Sequence, residues 1–135
     1  MLNSAAWKEL VNDTVVDSYN GTLGASATLQ IIDGSMPATC EDATVGTVLV
    51  SIAIDPTTPV IVGTGGSNDF TTLPPTTITN SGTAAYWRIF DSSSNCVQQG
   101  DVGTGGGDIN FTSLTFTASD TCTITFLALT IAVTP

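Results

Sequence analysis

Apolar and polar residues alternate over several short runs of this chain, with the two-residue period of a β-strand. Across residues 47–54, Val48, Val50, Ile52 and Ile54 fall on one side and Leu49, Ser51 and Ala53 on the other, as in a strand whose successive side chains point to opposite faces. Residues 27–32 form another such run, closed by the turn chemistry of Asp33-Gly34, while Asp55-Pro56 closes the first. Residues 84–90 carry apolar groups on both faces: Ala85, Trp87 and Ile89 on one, Tyr86 and Phe90 on the other, where Arg88 joins them. The small polar residues 91–95 then predict a turn, so that 84–90 and 96–99 pair as an antiparallel hairpin. Residues 103–107 read as a second turn, 109–111 as a short strand and 121–132 as a last long strand.

A helical period occurs once, near the start. Asn3 or Ser4 can cap a helix over residues 3–13, on which Trp7, Leu10 and Val11 make an apolar stripe at i, i+3 and i+4. Residues 18–26 are small and polar and read as a connection. The segment 56–81 holds four of the six prolines and a glycine cluster at 63–66, which predicts a variable middle segment of loops with short strands near Val60 and Ile78. Short strands separated by turn signals define the expected fold class. It is all-β, an antiparallel β-sandwich of jelly-roll-like type with one short N-terminal α-helix, in a single domain over residues 1–135.

Composition narrows what such a fold would do. Hydrophobic residues are 41% of the chain and charged residues 10%, the balance of a folded domain with a modest core. Threonine is the commonest residue, which suits a pleated, half-buried surface. Twelve acids face two bases, Lys8 and Arg88, for a net charge of −10. That charge repels phosphate backbones and anionic membrane surfaces, so neither nucleic acid nor membrane is an expected partner. No apolar run reaches the roughly 18 residues that cross a bilayer. The start MLNSAAWKEL lacks the basic-then-apolar order of a secretory signal. The acids are spread over turns, where they solvate the surface or complement a basic partner.

Candidate chemistry is sparse. The chain has no histidine to act as base beside its many serines and threonines. No two of its acids are marked as a glycosidase pair. GTGG at 63–66 and GTGGG at 103–107 lack the Lys-Ser/Thr ending of a phosphate loop, so their glycines are expected to supply positive φ in hairpin loops. Asp101 and Asp108 flank the second cluster, but two carboxylates without calcium-loop spacing are a weak cation signal. Three N-x-Thr triplets begin at Asn12, Asn20 and Asn110 and read as coincidence without a secretory route. No catalytic residue, metal or cofactor is therefore expected, and the protein is not expected to be an enzyme.

Of the three cysteines, Cys122 opens an alternating apolar run and is expected to be buried; reduced thiols are the default, with a Cys96–Cys122 bridge as the alternative. Trp87 is expected in the core. Arg88, the only arginine, is expected either to pair with a local acid or to reach a partner's carboxylate.

The stretches ATLQIIDGSMPAT (27–39), GTVLVSIAI (46–54) and GTAAYWRIFDSSSNCVQQGDVGTGGGDINF (82–111), with a final TITF (123–126), resemble small structural proteins of tailed bacteriophages. The resemblance implies a capsid cement or decoration protein of β-sandwich type, whose partner would be the major capsid protein. It would sit on the capsid exterior of a virion assembled in the host cytoplasm. A homo-oligomer is expected, a trimer rather than a dimer, to suit threefold positions. Partner contacts are assigned to Trp7, Leu10 and Val11 on the helix and to Arg88, with help from the middle segment. The other reading is a tail or head-fibre adsorption module that binds host surface glycans.

Overall fold

Strand alternation is where the chain folds most nearly as its pattern directs. The computed structural model describes residues 21–54, 60–62, 67–70, 73–124 and 128–130. Strands follow in the order β1 (Thr28–Ile32), β2 (Val48–Ala53), β3 (Val60–Val62), β4 (Ser67–Phe70), β5 (Thr76–Thr77) and β6 (Gly82–Thr83). They continue with β7 (Tyr86–Phe90), β8 (Cys96–Gly103), β9 (Ile109–Asn110), β10 (Thr115–Phe116), β11 (Thr121–Cys122) and β12 (Ala128–Thr130). The protein is mostly β, with helix limited among the described residues to 21–23, where Gly24 at φ +72° ends it. The expected helix over 3–13, with Trp7, Leu10 and Val11, lies outside the described residues, as does the glycine cluster at 63–66.

The principal sheet has five strands in the order β2-β1-β7-β8-β9. Both β2 and β7 pair antiparallel with β1, and β7 and β8 form the expected hairpin. One face of this sheet carries Leu29, Ile31, Val50, Ile52, Trp87 and Ile89 into the core, all buried. Ser51 and Ala53 are exposed, as their alternate positions require. Leu49 breaks the alternation and is also buried. A register shift explains it: Ile31 faces Val50 and Ile32 faces Val48, so Leu49 is the extra residue of a bulge.

Two stretches depart from the expected strands, and the first makes the principal sheet mixed and curled. β9 pairs parallel with β8, Val102 with Ile109 and Gly103 with Asn110, although only residues 104–108 join them. Parallel neighbours ordinarily need a crossover of about a dozen residues; here the chain curls tightly on glycine. A Cβ on Gly107 would lie 2.5 Å from the Gly103 nitrogen, and one on Gly103 would lie 2.8 Å from that of Gly107. These two glycines permit backbone to touch backbone, and none in 103–107 has positive φ, contrary to the expectation for this loop. The other departure is the last long strand, expected over 121–132. β11 pairs with β5 and β12 with β4, and 123–124 between them are not strand, because the chain leaves one ladder before joining another.

The middle segment contributes the short strands expected near Val60 and Ile78. β3, β4 and β12 make a three-stranded sheet in the order β12-β4-β3, while β5–β11 and β6–β10 are two-residue ladders. Ile78 lies between the two ladders, its N–H donating to the Asp120 carbonyl at 2.7 Å. Leu73, Ile78, Ala84, Phe116, Cys122 and Ile124 then join the same core as the principal sheet. Trp87 is in that core, as expected, its ring fitted against Gly100 across the hairpin. A Cβ at position 100 would stand 2.7 Å from the Trp87 ring and collide with the Asp108 carboxylate. We expect Gly100→Ala to destabilise the protein by about 1–3 kcal/mol in urea unfolding; an unchanged midpoint would mean that the ring and carboxylate yield freely.

Candidate functional site

The opposite face of the principal sheet carries Ile32, Tyr86, Arg88 and Gln99, and the chain covers it with its own loop. Residues 33–47 leave β1 and return to β2 with their ends joined. Asp33 N–H donates to the Thr47 carbonyl at 3.1 Å, and Thr47 N–H donates to Asp33 Oδ1 at 2.5 Å. Gly34 and Gly46 stand at that neck with φ +89° and +99°, where L side chains are strained. Closed ends and an internal fastening make this an Ω-loop. Its tip is a turn in which Asp42 Oδ2 accepts from the Thr39 N–H and hydroxyl at 3.0 and 3.2 Å, and Thr39 O accepts from the Asp42 N–H at 3.3 Å.

Arg88 holds this loop down. It is 1% exposed. Its Nε donates to Gln99 Oε1 at 3.1 Å, Nη1 to the Asp42 carbonyl at 2.9 Å and the Thr44 hydroxyl at 3.2 Å, and Nη2 to the Thr39 carbonyl at 3.1 Å and Gln99 Oε1 at 2.9 Å. A guanidinium has five N–H donors, so the fork is fully used. Every acceptor is a neutral oxygen, which is neither of the two carboxylate arrangements expected for this residue. Burying such a cation costs several kcal/mol. Hydrogen bonds from a charged group return about 1.5–3 kcal/mol each, enough over the whole fork to offset that cost.

Neighbours on the same face extend the clamp. Gln99 lies opposite Arg88 across the hairpin and, while accepting from it, donates Nε2 to the Pro37 carbonyl at 2.8 Å. The Tyr86 hydroxyl donates to the Val45 carbonyl at 2.6 Å and accepts from the Val45 N–H at 3.1 Å. Finally, Cys40 near the loop tip is disulfide-bonded to Cys96, the first residue of β8, with Cα atoms 5.4 Å apart. The reduced-thiol expectation, and the Cys96–Cys122 alternative with it, is thus corrected: the loop carries Cys40 back onto the hairpin. A bridge spanning 56 residues restrains the unfolded chain by about 4 kcal/mol in the chain-entropy account. Cys122 is free and 4% exposed, as expected of a small apolar residue, and burial pushes its thiol pKa up to about 11.

What the clamped loop shows to solvent is apolar and acidic. Met36 and Val45 are 45% and 50% exposed and are the exposed large hydrophobics among the described residues. Beside them Glu41 and Asp42 are exposed. A groove of about 460 Å³ runs between the loop tip and the β7–β8 turn, walled by Glu41, Thr44, Phe90, Ser94 and Asn95 with Arg88 beneath. Chemically this arrangement can hold a complementary surface. Asp101 and Asp108, weighed as a cation pair, instead close the β8–β9 curl: each carboxylate accepts from the other residue's backbone N–H, at 3.0 and 3.3 Å. Among the described residues, no group of three His, Cys, Asp or Glu is placed to hold a metal.

Of the residues singled out from sequence, Arg88 is at this site, behind the presented surface; Trp7, Leu10 and Val11 lie outside the described residues. Sequence reading missed Tyr86, Gln99, Met36, Val45 and the Cys40 pairing. One signal was present: an arginine between two aromatics, on a strand whose other face is already apolar, marks a face about to be covered.

The β7–β8 turn is fixed by Asp91. Its Oδ1 accepts from the Ser93 and Asn95 N–H groups, each at 2.9 Å, and Oδ2 from Asn95 Nδ2 at 3.3 Å. The Asn95 backbone bond is the largest influence on the carboxyl; it exceeds the desolvation that raises the pKa and, joined by the weaker Asn95 side-chain and Ser93 backbone bonds, holds the group below its ordinary 3.8. A carboxyl depressed by folding contributes stability above its unfolded pKa and loses it as pH falls through the folded value. We expect Asp91→Ala to flatten the acid limb of the stability curve below about pH 4; an unchanged limb in pH-dependent unfolding would show that the turn does not draw on the charge.

Comparison with known proteins found no matching family model, no similar curated protein and no similar solved structure.

Proposed function

We propose that this is a virion structural protein, a capsid cement or decoration protein that binds the outer capsid surface and stabilises contacts between major capsid protein subunits. The observation that carries the reading is the Ω-loop 33–47, fastened to a rigid sheet by Arg88, Gln99, Tyr86 and a disulfide while it displays Met36 and Val45. A loop held this firmly loses little conformational freedom on binding, and preorganisation of that kind favours affinity. Many copies on a repeating lattice then add avidity. The resemblance to tailed-phage structural proteins supplies the partner, and the core shared by the principal sheet and the short ladders supports a jelly-roll-like β-sandwich. The apolar stripe of Trp7, Leu10 and Val11 expected from the sequence is a further proposed contact, and a homotrimer suits a threefold site. In this reading Arg88 serves binding from behind, as the post to which the loop is tied. A glycan-binding adsorption module is less favoured, since Tyr86, Trp87 and Phe116 are buried and Phe90 and Phe111 half-buried.

Sedimentation with capsids lacking this protein, beside unassembled capsid subunits, tests the reading. Saturable binding to shells alone is expected, and Met36→Asp with Val45→Asp should weaken it by about tenfold or more, roughly 1.4 kcal/mol, without lowering the melting temperature. Recovery with isolated tails and not with shells would refute it.

A further inference from the structure

We propose that the Cys40–Cys96 bond is a redox latch on the Ω-loop, closed by oxidation on a sheet that is already folded. Three observations carry this. First, the bond joins two surface segments, the loop tip and the start of β8 beside the turn, and neither sulfur belongs to the core. Second, the remaining fastenings need no sulfur. Arg88 holds Thr39, Asp42 and Thr44 on both sides of Cys40, and Gln99 on β8 links that same guanidinium to Pro37. In the dithiol form these bonds keep Cys40 beside Cys96 at high effective concentration, so that closing the ring costs little more entropy. Third, the remaining cysteine is out of reach: Cys122 is buried in the core and does not compete for either partner.

The step balances with a small-molecule disulfide such as glutathione disulfide as oxidant. The Cys40 and Cys96 thiols are oxidised, a sulfur–sulfur bond forms between them, and the oxidant's own sulfur–sulfur bond breaks. The two thiol protons end on the two glutathione thiols produced. A reducing compartment holds the loop tied by hydrogen bonds alone, and an oxidising one locks it. Reduction forfeits the restraint on the unfolded chain but removes no core contact, so the sheet persists while the loop, closed most of the time by its hydrogen bonds, opens locally more often than in the disulfide form. Gln99 is a positioning residue for this closure, acting through Arg88 and Pro37. As far as the latch governs the partner surface, it rests on the capsid-binding reading; the latch itself does not.

Limited digestion with a glutamyl endopeptidase reads the latch directly, because Glu41 lies in the loop and Glu9 is the only other glutamate. Cleavage after Glu41 in the dithiol protein should be about tenfold faster or more than in the disulfide protein, since local opening then admits the protease. Far-ultraviolet circular dichroism and the protection of Cys122 from alkylation should stay the same. Cys40→Ser should cut at the fast rate in either buffer. Gln99→Met should shift the glutathione equilibrium toward the dithiol by about tenfold, a readout that a merely stabilising residue leaves unmoved; if that variant does not fold, Thr44→Ala replaces it, with a shift in the same direction. A smaller cleavage ratio, global unfolding on reduction, or a glutathione equilibrium unmoved in the folded variant would each overturn the proposal. No capsid enters the assay, so a failed capsid sedimentation and a failed latch are separate results.

Discussion

A single buried cation organises the outer face of this protein. Arg88 sits on the central hairpin with its guanidinium sealed from water, and every donor it owns is aimed at an oxygen of the loop or of Gln99. Lysine could not replace it, because an ammonium is a compact point charge with three donors and no planar fork. The arrangement depends on the loop arriving in the right shape, and the shape depends on small local devices. Gly34 and Gly46 turn the neck, Asp33 closes it, and the Thr39–Asp42 turn offers two carbonyls to the fork. The charge therefore links residues far apart in sequence into one stiff surface element.

How much of this was legible in the residues follows from the range of the forces involved. The alternation of Val50, Ser51, Ile52 and Ala53, the hairpin through residues 91–95 and the burial of Trp87 and Cys122 are local consequences of period and turn chemistry. Each was readable. Leu49 escaped the pattern because a bulge is a property of two strands, not one. The curl at Gly103 and Gly107 was misread for a related reason: close backbone approach and positive φ both select glycine, and sequence does not tell them apart. The Arg88 clamp and the Cys40 pairing lay furthest from reach. Both need residues some 40 to 60 positions away, as the Arg88 bonds to 39, 42 and 44 and the bridge from 40 to 96 record.

The two faces of the principal sheet divide the labour. One is apolar and sets stability through the shared core; the other is polar, internally satisfied, and spends its hydrogen bonds on holding a loop still. With Arg88 hidden, Lys8 is the one remaining base in a chain of twelve acids. The exposed surface is therefore acidic around the apolar pair Met36 and Val45. Such a surface limits non-specific association while leaving Met36 and Val45 as a defined exposed apolar pair. Function on this account resides in rigidity and display.

The most direct measurement of the central claim is residue-resolved amide hydrogen exchange in Arg88→Lys beside the unaltered protein, both in the disulfide form. If the guanidinium fork holds the loop, the Asp42 and Val45 amides, which bond to Thr39 and Tyr86, lose protection in the variant while those of β1 and β2 keep theirs. Undiminished protection of Asp42 and Val45, with the charge retained and the fork gone, would contradict the account.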